Sequence, residues 1–273
     1  MSRFWLINGI IADAVPADDR GLHYGHGLFE TMRLSGAGIP LWSRHRARLL
    51  RDAAVLGVVV DPAIIERELQ LALALWPPEG VVKLLVTARG GDSGYRAEPT
   101  TQSNRIFGYR PVPAPRAPLR ALLCRHRLSD NPLSAGIKHL NRLDQVLAAR
   151  ELPPDREGLL LDHAGHVVEG LSGNLFVKMA AGWSTPPLTR AGVRGVMREL
   201  LIEEVFPALG VPVLEQAVTE ADLFGAEALF LCNAVRGVEP VALIEPMNRF
   251  LDIAPVQAIG VELGRRWPCF ADC

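Results

Sequence analysis

Two apolar rhythms alternate along this chain: a two-residue alternation broken by turns, and a helical spacing of three and four. Met1 to Gly9 reads as a short strand running into an Asn8-Gly9 turn, and Leu28 to Leu34 as a second strand. Ser43 stands where it could cap a first helix, whose Leu49, Leu50, Ala53 and Ala54 share one face. Asp61-Pro62 opens a second helix. Strands follow at Val81 to Thr87, Arg105 to Tyr109 and Leu119 to Cys124. The stretch from Pro111 to Pro118 holds four prolines in eight residues. It cannot join a central ladder, so it is a linker or an extended crossing strand, and the domain boundary is placed here. The division is 1–112 and 113–273.

The second half opens with a loop from Ser129 to Ile137, followed by a helix on which Leu140, Leu143 and Leu147 share a face. A hairpin comes next, Gly158 to Asp162 and His166 to Glu169, turned at His163-Ala164-Gly165, and Asn174 to Lys178 completes a meander. Gly192 to Gly195 leads into a helix that buries Val196, Met197, Leu200, Leu201 and Val205. A strand from Leu229 to Asn233 and a helix from about Pro255 finish the pattern. Two small α/β domains are expected.

Composition narrows the function. Hydrophobic residues make up 49% and charged residues 22% of 273, values ordinary for a globular enzyme. With a formal net charge of −1 and no long run of one sign, the electrostatic footprint of a nucleic-acid binder is missing. The longest apolar runs, near Ala53–Val60 and Leu69–Trp76, are roughly 8 residues against the ~20 that span a membrane. No signal-peptide core stands at the start, so a cytoplasmic location is expected. Cys124, Cys232, Cys269 and Cys273 form no paired metal-ligand pattern and read as free thiols, the first two buried. No metal site is expected.

Three features suit a phosphorylated aldehyde cofactor. Lys138 follows Ile137 at a loop-to-helix junction, where burial would lower its pKa and leave a reactive amine. Glu169 ends a strand, where a carboxylate could keep a pyridine nitrogen protonated. Gly192 and Gly195 bracket the start of a helix, whose amides and dipole favour phosphate. Each also has an ordinary use, as a solvated lysine, a surface glutamate and a tight turn.

Together they resemble, in order and over nearly the whole chain, the fold-type IV pyridoxal-phosphate enzymes. That family includes branched-chain and D-amino-acid aminotransferases and aminodeoxychorismate lyases. The resemblance begins at Asp19-Arg20-Gly21, continues through Gly25-His26-Gly27-Leu28-Phe29-Glu30-Thr31 and runs on to His45-Arg46-Ala47-Arg48-Leu49. It implies an α/β (α+β) fold with a small N-terminal α/β domain and a larger C-terminal mixed-sheet, barrel-like domain. It further implies pyridoxal 5'-phosphate as cofactor, linked to Lys138, with Arg48 and the backbone of Val193 and Arg194 on the phosphate and Glu169 at the pyridine nitrogen. Leu231 to Val235, leading to Glu239-Pro240-Val241, is similar to the family's last cofactor loop, through Asn233 and Ala234. His26 departs from the family pattern, which often has Asp there.

Residues 138 to 146, Lys-His-Leu-Asn-Arg-Leu-Asp-Gln-Val, resemble the aminodeoxychorismate lyases, as does the Gly-rich stretch Arg89 to Arg96 ending in Gly94-Tyr95. The resemblance implies a lyase that converts 4-amino-4-deoxychorismate to 4-aminobenzoate and pyruvate in folate synthesis. Phe29 would offer the substrate an apolar wall and Arg96 would meet a carboxylate. A homodimer acting on a small molecule, without nucleic-acid or membrane partners, is implied too. The rivals are a class IV aminotransferase for D-amino acids, branched-chain amino acids or amines, and a non-catalytic α/β binding protein that has kept the fold and lost the cofactor.

Overall fold

The structure is a computed structural model, and it describes residues 5–36, 38–90, 94–97, 102–245 and 247–271. Met1 to Phe4, Gly91-Asp92-Ser93 of the Gly-rich loop and Cys273 lie outside the described residues. The chain forms two compact units, residues 1–113 with 138–141, and residues 114–137 with 142–273. The boundary falls one residue past the expected 112/113, and Lys138–Asn141 return to the first unit.

In the first unit, β1 (Trp5–Ile7) and β2 (Ile10–Ala12) make a hairpin. They are followed by the one-turn α1 (Arg20–Tyr24), β3 (Gly27–Leu34), α2 (Trp42–Leu56), α3 (Pro62–Leu75), β4 (Gly80–Ala88) and β5 (Ser103–Arg110). The sheet order is β2-β1-β5-β4-β3, every pairing antiparallel. Asp61 caps α3 as expected, its carboxylate accepting from the amides of Ala63 and Ile64 at 2.8 and 3.3 Å.

The second unit holds β6 (Leu119–Arg127), α4 (Leu143–Ala149), β7 (Glu157–Leu161), β8 (His166–Gly170), β9 (Asn174–Met179) and β10 (Gly182–Thr185). After them come α5 (Val196–Leu200), a wide π turn over Leu201–Val205, α6 (Phe206–Ala208), β11 (Val213–Glu215), β12 (Val218–Thr219) and α7 (Glu220–Phe224). Last are β13 (Ala228–Asn233), β14 (Gly237–Glu245), β15 (Arg249–Phe250) and α8 (Ala254–Arg266). Strands β9, β13, β14, β6, β7 and β8 pair in sequence, and β8 pairs back to β9, closing a barrel. The seam is one residue pair, Glu169 opposite Asn174.

Alternation along the barrel strands sorts its two apolar layers. Leu175, Val177, Leu229 and Leu231 join one buried cluster with Leu159, Leu161 and Val241. Their neighbours Phe176 and Phe230 point the other way and stack at 4.8 Å, with Phe206 and Trp183 against them. Val196, Met197, Leu200, Leu201 and Val205 are buried, on the spacing the sequence shows. Cys124 and Cys232 are buried free thiols, and burial pushes the Cys124 thiol up to about 11.

Two helix expectations are corrected. Helix α2 starts at Trp42 behind Leu41 with no side-chain cap, so Ser43 lies inside the first turn and is exposed. Its buried residues are His45, Arg48, Leu49, Asp52 and Ala53, a largely polar stripe, while Ala54 is exposed. Helix α4 starts at Leu143, because Leu140 is held in extended backbone, and it buries Ala148 while Leu143, Val146 and Leu147 stay exposed.

The polar stripe of α2 is explained by Glu30 on β3. The Glu30 carboxylate accepts from His45 Nδ1 at 2.6 Å and from Arg48 Nε at 2.8 Å, and it also bonds the second arm of that guanidinium. All three residues are at most 3% exposed. Burial alone would raise the Glu30 carboxyl, but Arg48 and His45 outweigh it and hold it at about 2 against an ordinary 4.5. Burial, with Arg48 and Lys138 acting in the same sense, keeps His45 below its usual value despite Glu30. Because the folded value is depressed, the cluster contributes fully above pH 4.5 and loses that contribution as pH falls toward 2. The amount is roughly 3 kcal/mol. Glu30→Gln strands a buried guanidinium and should cost about 3–5 kcal/mol at pH 7. Thermal unfolding of both proteins at pH 7, 4.5 and 3 checks this: the gap should be full at the first two and smaller at the third, and a constant gap would contradict the assignment.

Candidate active site

Lys138 is fixed by its backbone. The amide of Phe29 donates to the Lys138 carbonyl at 3.0 Å and that of Leu140 to the Gly27 carbonyl at 3.0 Å, so Leu28 and His139 form an antiparallel bridge. Residues 138–140 thus extend the first unit's sheet past β3. This corrects the expected loop-to-helix junction: the backbone of Lys138 bonds the open edge of β3 instead of a helical turn. The remaining Lys138 amide donates to Asp52 Oδ2 at 3.2 Å, and burial raises the Asp52 carboxyl. Asn141 Nδ2 donates to the Gly25 carbonyl at 3.3 Å. Gly27 must be glycine here, since a Cβ would lie 2.5 Å from the Val86 carbonyl and 2.8 Å from Leu140.

Residues opposite one another in a ladder share a face, which puts the Lys138 side chain beside Phe29. Its Nζ stands 4.3 Å from the centre of that ring, and the Nζ of Lys83 stands 5.3 Å from the same centre. Phe29 is half-buried, and Arg48 belongs to the Glu30 cluster on the α2 side of the sheet.

The Asp19-Arg20-Gly21 run holds loops in place. Asp19 accepts from Thr87 Oγ1 at 2.5 Å, Asn104 Nδ2 at 2.6 Å and the Leu22 amide at 3.1 Å. The buried Arg20 guanidinium donates to the carbonyls of Gly94 and Tyr95 at 2.7 and 3.0 Å, and its Nε donates to His26 Nδ1 at 3.3 Å. The Nε2 of His26 then donates to the Leu56 carbonyl at 2.8 Å, a use that explains an imidazole at this position. Arg96 follows the turn that Arg20 holds, and it is exposed.

In the second unit, the buried pair at the barrel seam grips Val193 from both sides. Glu169 Oε2 accepts from the Val193 amide at 2.9 Å, and Asn174 Nδ2 donates to the Val193 carbonyl at 2.7 Å. The Arg194 amide donates to the Gly136 carbonyl at 2.9 Å. In this structure both amides, the pair the sequence assigns to a phosphate, donate to protein acceptors and so hold the turn in shape. Gly192 has φ +84°, and a Cβ on Gly195 would lie 2.0 Å from Asn174 Oδ1. Asn233 likewise organises its own loop, Oδ1 accepting from the amides of Val235 and Arg236 at 3.0 and 2.9 Å. Ala234 lies within that turn, half-buried.

Each unit therefore holds chemistry that a pyridoxal-type cofactor needs. The first has an amine beside an aromatic wall and a buried guanidinium. The second has a buried carboxylate with a glycine turn too tight for a side chain. The donor set fits the group. Asp52, Asn174 and Lys83 were not singled out from the sequence as site residues: Asp52 reads as one more polar residue on a charged helix, and Lys83 as a solvated strand lysine.

Solved and curated relatives agree with this chemistry. The structure of 4-amino-4-deoxychorismate lyase from Pseudomonas aeruginosa superposes with a TM-score of 0.90 at 36% identity, covering 96% of this chain and 99% of that one. The aminodeoxychorismate lyase of Vibrio harveyi is 28% identical over 91% of this chain and 94% of its own length. A putative branched-chain-amino-acid aminotransferase of Methanocaldococcus jannaschii is 29% identical over 88% and 87%. The model of amino-transferase class IV matches residues 27–244, and the chain belongs to that family.

Proposed function

We propose that this chain is a pyridoxal-phosphate-dependent lyase that converts 4-amino-4-deoxychorismate to 4-aminobenzoate and pyruvate. The observation that carries the reading is the placement of Lys138, anchored through its carbonyl by Phe29 and through its amide by Asp52 with its amine over Phe29, in a run similar to the lyases. The likeness to the Pseudomonas aeruginosa lyase supports it. Bound pyridoxal 5'-phosphate supplies an electron sink for the charge left when a proton is removed from the substrate.

The protein's own residues do the rest. Lys138 would hold the cofactor, and its amine would take the proton from the ring carbon that bears the substrate amine and return one to the departing enolpyruvyl group. Glu169 would hold a proton on the pyridine nitrogen, and Arg48, its plane set by Glu30, would meet the phosphate. Val193, Arg194, Asn233 and Ala234 would hold the cofactor through the turns they form. Phe29 keeps water from the substrate ring, and Arg96 meets a substrate carboxylate. Loss of the enolpyruvyl group makes the ring aromatic, which drives the step. The active form is a homodimer, a reading supported by the exposed Leu143, Val146 and Leu147 stripe on α4, and its location is the cytoplasm.

The decisive experiment supplies purified protein with aminodeoxychorismate and follows 4-aminobenzoate; an aminotransferase would instead convert the bound cofactor to pyridoxamine phosphate when given D-alanine or L-leucine. Lys138→Ala should abolish borohydride-fixed cofactor and lower kcat by about a thousandfold or more; cofactor fixed at the wild-type level would remove Lys138 from its role. Gly195→Ala should push Asn174 off the Val193 carbonyl and weaken pyridoxal phosphate binding by about tenfold. A titration of the cofactor's visible band measures it, and an unchanged affinity would mean that the turn tolerates the methyl group.

A further inference from the structure

Aminodeoxychorismate carries two carboxylates, one across the ring from its amine and one on the enolpyruvyl group, and each needs a cationic partner. The sheet of the first unit divides its charges unequally between its faces. Register pairs Thr31 with Lys83, Phe29 with Leu85 and Arg33 with Val81, and on the next strand Lys83 with Gly108 and Val81 with Arg110. Partners share a face, so Phe29, Lys83, Arg33 and Arg110 lie on one side with Lys138, and the acidic Glu30 lies on the other. No strand position on the Lys138 side is acidic.

Lys83 is exposed, and among the described residues neither it nor Arg110 enters an ion pair. Two neighbouring cations on one face, Lys83 and Arg110, without an acid between them attract an anion. Lys83 also reaches the ring that Lys138 reaches, at 5.3 Å against 4.3 Å. A small ring lying on Phe29 with its amine toward Lys138 would thus have the Lys83 ammonium within range of its substituents. We propose that Lys83 pairs with a carboxylate of the substrate and thereby sets a preference for dicarboxylates over monocarboxylate or apolar amines. This rests on the lyase reading for the identity of the substrate and on Lys138 as the cofactor lysine.

The test compares wild type with Lys83→Met and Lys83→Arg. Lys83→Met should raise KM for aminodeoxychorismate by about tenfold or more, with kcat within about threefold and with Tm and the cofactor's visible band unchanged; Lys83→Arg should restore KM to within about threefold. A structural role would move Tm or the band instead. Calorimetric binding of isophthalate and of benzoate to the holoenzyme separates the two readings. Wild type should favour isophthalate, and Lys83→Met should lose that preference even if no 4-aminobenzoate is ever formed, in which case only the lyase reading falls. Unchanged KM together with an unchanged isophthalate preference, or no isophthalate binding to wild type, overturns the role given to Lys83.

Discussion

The main-chain pairing of residues 138–140 with the edge of β3 is the constraint on which the candidate site depends. It fixes the lysine through backbone bonds, so the flexible side chain starts from a rigid base. It selects the face, because pairing Lys138 opposite Phe29 puts the amine over the aromatic ring. It also covers a strand edge that would otherwise expose unpaired amides and carbonyls. Gly25 and Gly27 answer to the same constraint, since side chains there would meet Asn141 and Leu140.

A second organising element is the division of charge across that sheet. On the α2 side one carboxylate is satisfied by an imidazole and a guanidinium, all buried, and the arrangement ties helix to strand. On the other side Lys83 and Arg110 are exposed and enter no ion pair among the described residues. Burial forces pairing in the first case, whereas exposure lets these two charges stay in water in the second. One eight-residue strand, β3, thus carries both the anchor of the fold and, through Phe29, the wall of the site.

Much of this was legible in the sequence. The strands from Leu28, Val81 and Asn174 and the buried face of the Val196 helix follow apolar period, and period survives because those residues are buried on the spacing it predicts. What period misreads is instructive. Helix α2 buries His45, Arg48 and Asp52, which look solvated until Glu30 and the Lys138 amide supply partners from elsewhere in the chain. Leu140, Leu143 and Leu147 show helical spacing, but the β3 edge takes Leu140 into extended backbone, so tertiary pairing overrides local propensity. The roles of Val193 and Asn233 were partly hidden for a similar reason: a glycine turn announces itself in sequence, but which acceptors consume its amides depends on side chains that come from distant strands.

The barrel of the second unit is a hoop fastened by one clasp. Its other junctions are ladders of several residues, while β8 meets β9 only at Glu169 and Asn174. Those are the residues whose side chains hold Val193 on either side. The amides around the clasp should therefore be among the first of the barrel to exchange with solvent, since local opening begins where pairing is thinnest. The proposed cofactor carboxylate, Glu169, thus sits where the hoop is most thinly fastened, and a ligand bound there would act as a rivet through the wall of the barrel.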